Sequence, residues 1–243
     1  MDTIIQNLKH VQQRIDEACK AAGRDPKEVK LLLATKTVNP ERIQQAFAAG
    51  YTLIAENKVQ ELKEKYEALK ATPHTNHFIG HLQTNKIKDI LKYDVSCVES
   101  LDRYDLAEKL HQKLSQVGRE MDVFIQVNTS GEESKFGVAP EEALALTRQV
   151  AQLPTLHIRG LMTIGLFSAE EDKVRKCFQL LKSIQQQIFA LNLPDVQPHE
   201  LSMGMSGDLE VAIAEGATIV RVGTAIFGKR IYPDSYYWNE QKA

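Results

Sequence analysis

Eight short apolar, β-rich runs alternate with helical patterns along this chain, and few folds accommodate that alternation. The strand candidates are 29–38, 52–56, 76–80, 95–99, 122–128, 157–165, 199–203 and 218–224. Helical spacing occupies the intervals near 40–49, 58–71, 84–91, 102–117, 140–152, 170–191 and 207–215. Several strand candidates are nearly continuous apolar runs, such as Leu31 to Ala34 and Val123 to Val127 with only Gln126 interrupting. Runs of that kind suit parallel strands covered by helices. Eight strand–helix repeats in about 250 residues is the arithmetic of a (β/α)8 TIM-type barrel. A doubly wound open sheet shares the alternation and stands second. Ahead of the first strand, Ile4, Leu8, Val11, Ile15 and Ala18/Cys19 fall at spacings of three and four. That spacing predicts an additional N-terminal helix over 3–22, stopped by Gly23. No Gly/Ser/Pro-rich linker or internal repeat divides the 243 residues, so one domain over 1–243 is expected.

Composition narrows the function classes. The formal net charge of −2 leaves no dense cationic face, so nucleic acid is not expected as a partner. The lysine-rich stretch 58–65, KVQELKEK, alternates with glutamate and reads as a solvated helix face. Cys19, Cys97 and Cys177 are scattered without a CxxC pair, as reduced thiols are. Residues 1–10 carry Asp2, Gln6 and Asn7 and lack a signal peptide's apolar centre. No apolar run approaches the roughly 20 residues that span a bilayer. Asn128-Thr129-Ser130 fits the glycosylation sequon by chance. The expectation is a soluble, cytoplasmic protein with no membrane partner.

In a barrel of this type the chemistry gathers at the carboxyl ends of the strands. The polar residues expected there are Lys36, Asn57, His81 and Asn128, with SMGMSGD at 202–208 after strand 7 and RVGT at 221–224 in strand 8. The loops after strands 7 and 8 form the recurrent phosphate site of the fold. Glycine lets backbone N–H groups approach an oxyanion closely, and both segments add hydroxyls. Chain-turning glycines are the plain alternative for each loop taken singly. The stretch 223–230, GTAIFGKR, imitates a P-loop but has Arg230 where magnesium needs Ser or Thr. His77 and His81 have helical metal-pair spacing, yet on a strand they stand about 13 Å apart, too far to share an ion. Lys36 closes an apolar strand. A lysine reaching out to solvent is the plain reading of it. Burial, however, favours the neutral amine, which is the nucleophilic form. An amine facing a phosphate cradle across a barrel mouth suits an imine-forming cofactor. Arg221, always charged, would keep a pyridine nitrogen there unprotonated and weaken it as an electron sink.

These residues resemble those of the pyridoxal phosphate homeostasis proteins, a family similar in fold to the barrel domain of bacterial alanine racemase. The resemblance runs over nearly the whole chain, through LLATKTVNP ending at 40, ENKVQE at 56–61, HFIGHLQTNK at 77–86, KFGV at 135–138, LSMGMSGDLEVAIAEGAT at 201–218 and RVGTAIFG at 221–228. Thr37 and Phe136 stand at positions that vary in the family. The resemblance implies pyridoxal 5′-phosphate (PLP) held by Lys36 as an aldimine. It implies a phosphate bound by Ser202, Ser206, Gly223 and Thr224, with Arg221 beside the pyridine nitrogen. Asn57 would line the ring, and Met203 would pack on it or offer a backbone contact. No role follows for 79–86.

The family is regarded as non-catalytic, acting in vitamin B6 and amino/keto-acid homeostasis, and apo-enzymes that use PLP are the implied partners of a monomer. Racemisation needs an acid/base on each face of the substrate, and the racemase draws its second one from a further C-terminal domain. The stretch after Thr224 is too short for such a domain, though it carries Tyr232, Tyr236 and Tyr237. A PLP-dependent racemase or other PLP enzyme is the competing expectation.

Overall fold

The computed structural model describes residues 3–166, 168 and 170–228. Eight parallel strands close into a barrel in chain order: β1 (Lys30–Ala34), β2 (Leu53–Glu56), β3 (Thr75–Phe78), β4 (Cys97–Leu101), β5 (Met121–Gln126), β6 (Leu156–Met162), β7 (Glu200–Ser202) and β8 (Ile219–Val222). Pairing of Lys30 through Leu33 with Ile219 through Val222 joins the first strand to the last, which excludes the open sheet. The barrel expectation is borne out.

The helices are α1 (Thr3–Ala21), α2 (Pro40–Ala48), α3 (Val59–Leu69), α4 (Ile87–Lys92), α5 (Tyr104–Gln116), α6 (Ala143–Val150), α7 (Glu171–Ala190), α8 (Leu209–Ala214) and α9 (Thr224–Phe227). Asn39 caps α2 by accepting from the Arg42 N–H, and Pro40 follows at the first helical position, where its missing N–H costs nothing. The predicted N-terminal helix is α1. Its buried stripe is Ile4, Leu8, Val11, Ile15 and Cys19, with Ala18 only partly covered. This stripe packs on α8, α9 and α2.

Alternation along the strands separates two cores. Outward residues such as Leu33, Ile54, Val98, Val123 and Val220 join the helices in the larger one. Leu32, Ala55, Cys97, Phe124, Met162 and Ile219 fill the barrel interior. Gly160 must be bare, because a Cβ there would come within 2.3 Å of the Glu200 carbonyl oxygen on β7. No helix among the described residues is long and apolar enough to cross a membrane. Arg230 and the three tail tyrosines lie outside the described residues.

Candidate functional site

The first strand is shorter than its apolar pattern predicts. It ends at Ala34, and Thr35 to Val38 form a turn closed by the Val38 N–H on the Thr35 carbonyl at 2.9 Å. Lys36 is the half-buried second residue of this turn, and Thr37 follows with φ of 65°. Beneath the turn, α3 presents Lys65. Its ammonium donates to the Thr35 carbonyl at 2.8 Å, to Glu56 Oε1 at 2.7 Å and to Glu61 Oε2 at 2.8 Å. The Thr35 hydroxyl bonds Glu56 Oε1 at 2.6 Å, and the Thr37 N–H donates to Glu61 Oε2 at 2.6 Å. Burial pushes the Glu56 carboxyl up to about 7 against the pull of Lys65. Burial also acts to raise Glu61, but the charge and hydrogen bond of Lys65 outweigh it and hold that carboxyl below the usual range. Lys65 is therefore no part of a solvated helix face.

The loops after β7 and β8 meet as expected. Ser206 Oγ lies 3.2 Å from Thr224 Oγ1 and accepts the Ala225 N–H at 3.3 Å. Ser206 is half-buried and Thr224 exposed, so these hydroxyls line an accessible edge. From α1, Arg14 donates to the Ser206 carbonyl at 3.1 Å, and Asn7 donates to the Ile226 carbonyl at 2.9 Å. One helix thus pins both loops. A Cβ on Gly223 would lie 2.9 Å from the Ala34 carbonyl oxygen, so β8 packs there directly on the end of β1. Because the barrel closes β1 on β8, the Lys36 turn emerges beside these loops rather than across the mouth from them.

Strand alternation puts Ser202 and Met203 on opposite faces of the barrel wall. Leu201 and Met203 face the helices, and Met203 is fully buried in that outer core with its N–H donated to Ile219 at 3.1 Å. Ser202 faces the barrel interior, where its hydroxyl donates to Glu99 Oε2 at 2.5 Å and accepts from Arg221 Nη1 at 2.9 Å. That hydroxyl is therefore engaged in the barrel interior.

Arg221, also inward and buried, donates from Nη2 to the Thr163 carbonyl at 2.7 Å. His77 Nδ1 stands 2.6 Å from Glu99 Oε1, completing a chain His77–Glu99–Ser202–Arg221 through the barrel. Burial acts to lower Arg221 and does so despite Glu99 and Asp208. For Glu99 burial acts to raise the carboxyl, yet His77, Arg221 and the Ser202 hydroxyl hold it below the usual range. The folded state thus binds the Glu99 proton less readily than the unfolded chain. Its contribution to stability is complete above the ordinary glutamate value of about 4.3 and is lost as pH falls through the folded value. Urea midpoints measured against pH are expected to drop along this acid limb in the wild type and to drop less steeply in Glu99→Gln.

Asn57 follows β2. Its Oδ1 is buried with no hydrogen-bond partner among the described residues, and such an acceptor is costly unless something donates to it. Its carbonyl oxygen lies 1.9 Å from where a Cβ on Gly80 would sit, so the loops after β2 and β3 touch. His81 stacks on Phe136 with centroids 4.0 Å apart and approaches Asp102 at 3.6 Å. The two signature histidines have separate carboxylate partners. No group of metal-ligating side chains occurs among the described residues. Asn128 spends its amide on the carbonyls of Glu132 and Lys135, folding its own loop.

The alanine racemase N-terminal domain family matches residues 2–231. The pyridoxal phosphate homeostasis protein of Aquifex aeolicus is 43% identical over 93% of this chain and 98% of its own. That of Pseudomonas aeruginosa is 44% identical over 96% of this chain and 98% of its own. The structure of PipY from Synechococcus elongatus, solved with PLP bound, superposes with a TM-score of 0.82 at 31% identity, covering 93% of this chain and all of PipY.

Proposed function

The chain belongs to the pyridoxal phosphate homeostasis protein family, built on the alanine racemase N-terminal domain, and on that premise we propose that it is a non-catalytic PLP-binding protein. The observation that carries this reading is the emergence of the Lys36 turn from β1 beside Thr224, which follows the paired strand β8 and bonds Ser206 of the loop after β7. Neighbouring strands lie about 4.8 Å apart, so an aldehyde and a phosphate on one small ring can reach both.

Lys36 would hold PLP by its amine, which would take the aldehyde carbon as the aldehyde oxygen is lost as water. Ser206, Thr224 and the bare backbone of Gly223 hold the phosphate. Asn57, whose buried Oδ1 has no partner among the described residues, would line the ring and accept a hydrogen bond there. Arg221, its orientation fixed by Ser202 and the Thr163 carbonyl, would place its charge beside the ring nitrogen. An unprotonated ring nitrogen is a poor electron sink, which favours holding the cofactor over reacting it. The protein acts in vitamin B6 and amino/keto-acid homeostasis as a cytoplasmic monomer, exchanging PLP with amines or passing it to apo-enzymes.

Incubation of the PLP-loaded protein with a panel of amino acids in deuterated water tests the non-catalytic part. No exchange of the α-hydrogen above the rate of free PLP is expected. Exchange at enzymatic rates would show a PLP enzyme instead.

A further inference from the structure

We propose that Lys65, Glu56 and Glu61 form a positioning device for Lys36, holding its turn in a backbone conformation it would not adopt alone. This inference rests on the reading of Lys36 as the PLP-binding amine. Thr37 has φ of 65°, in the left-handed region that a β-branched residue occupies only at a cost. Such strain persists only where the surroundings over-determine it, and functional sites are where it clusters.

The surroundings here come from one source. Before Lys36, the Thr35 carbonyl is fixed by Lys65 and the Thr35 hydroxyl by Glu56. After it, the Thr37 N–H is fixed by Glu61. Lys65 joins the two sides, since its three bonds run to Thr35, Glu56 and Glu61. Both its side chain and that of Glu56 are buried, so these charges were taken out of water. Hydrophobic residues would fill the same space between β2 and α3 at no desolvation cost, and isolated buried ion pairs commonly gain nothing over them. What hydrophobic residues cannot do is grip two backbone groups on either side of one residue.

Two ligands separate positioning from general softening of the fold: PLP, and pyridoxine 5′-phosphate, which has an alcohol in place of the aldehyde and cannot form the imine. Affinities are measured on the full chain for wild type, Lys65→Met, Glu61→Ala and Glu61→Gln. Lys65→Met and Glu61→Ala are expected to weaken PLP binding about tenfold, equivalent to about 1.4 kcal/mol, and to leave the alcohol's affinity unchanged. Glu61→Gln keeps an oxygen for the Thr37 N–H and is expected to recover most of the loss. If Lys65→Met does not fold, Glu61→Ala decides, because Glu61 sits at the partly exposed edge of the group. Unchanged PLP affinity, or equal losses for both ligands, would overturn the proposal. Wild type binding both ligands equally would instead overturn the imine reading itself.

Discussion

Arg221→Met is expected to destabilise the protein by about 3–6 kcal/mol, since two buried hydrogen bonds from a charged group are lost at about 1.5–3 kcal/mol each. The methionine occupies a similar volume, so the loss comes from what it leaves behind. Glu99 is wholly buried, its hydrogen-bond partners among the described residues are His77 and the Ser202 hydroxyl, and the guanidinium beyond Ser202 acts on it through its charge. The Thr163 carbonyl and Ser202 also lose their donor. Neutralising the stranded carboxylate should therefore repair part of the damage. Glu99→Gln alone is expected to be destabilising, while Glu99→Gln in the Arg221→Met background is expected to raise the unfolding midpoint. A double-mutant cycle by urea denaturation measures that coupling, and additive losses would mean that the two groups do not depend on one another.

Gly80→Ala is the second large effect, and it acts where HFIGHLQTNK meets ENKVQE. The new Cβ would stand 1.9 Å from the Asn57 carbonyl oxygen and under 3 Å from two further backbone atoms of Asn57. Backbone cannot step aside as a flexible side chain can, so the loops after β2 and β3 must part. Overpacking of this kind costs about 1–3 kcal/mol, occasionally more. Moving Asn57 withdraws the unpaired acceptor from the site, and PLP affinity is expected to fall about tenfold, equivalent to about 1.4 kcal/mol. Thermal unfolding and spectroscopic titration of the same variant check the two parts. A variant with wild-type stability and affinity would show that the loops can separate freely.

Part of this architecture was legible because strands covered on both faces leave a plain signal. Leu31 to Ala34 and Val123 to Val127 read as buried strands; the first lies in β1 and the second, except Val127, in β5. The end of β1 was not legible. Val38 continues the apolar pattern, but the Thr35–Val38 turn buries it without extending the strand. One motif holds both Ser202 and Met203, so the sequence groups them as site residues. Period-two alternation from Leu201 separates them, sending Met203 to the helices and Ser202 to the barrel interior. Lys65 looked like surface because glutamates surround it. Its position gave the contrary signal, since it continues the buried row Val59, Leu62 and Leu69 of α3. The bond of Ser202 to Glu99, which links Arg221 to that carboxylate, joins residues more than a hundred positions apart and is set by barrel closure, which no local pattern records.

The central claim is that Lys36 is the amine that holds PLP. Borohydride reduction of the PLP-loaded wild-type protein, followed by digestion and peptide mapping, reads this directly. The reduced pyridoxyl group is expected on the peptide containing Lys36. A label found principally on another lysine, or no label on a protein that nonetheless binds PLP, would contradict it.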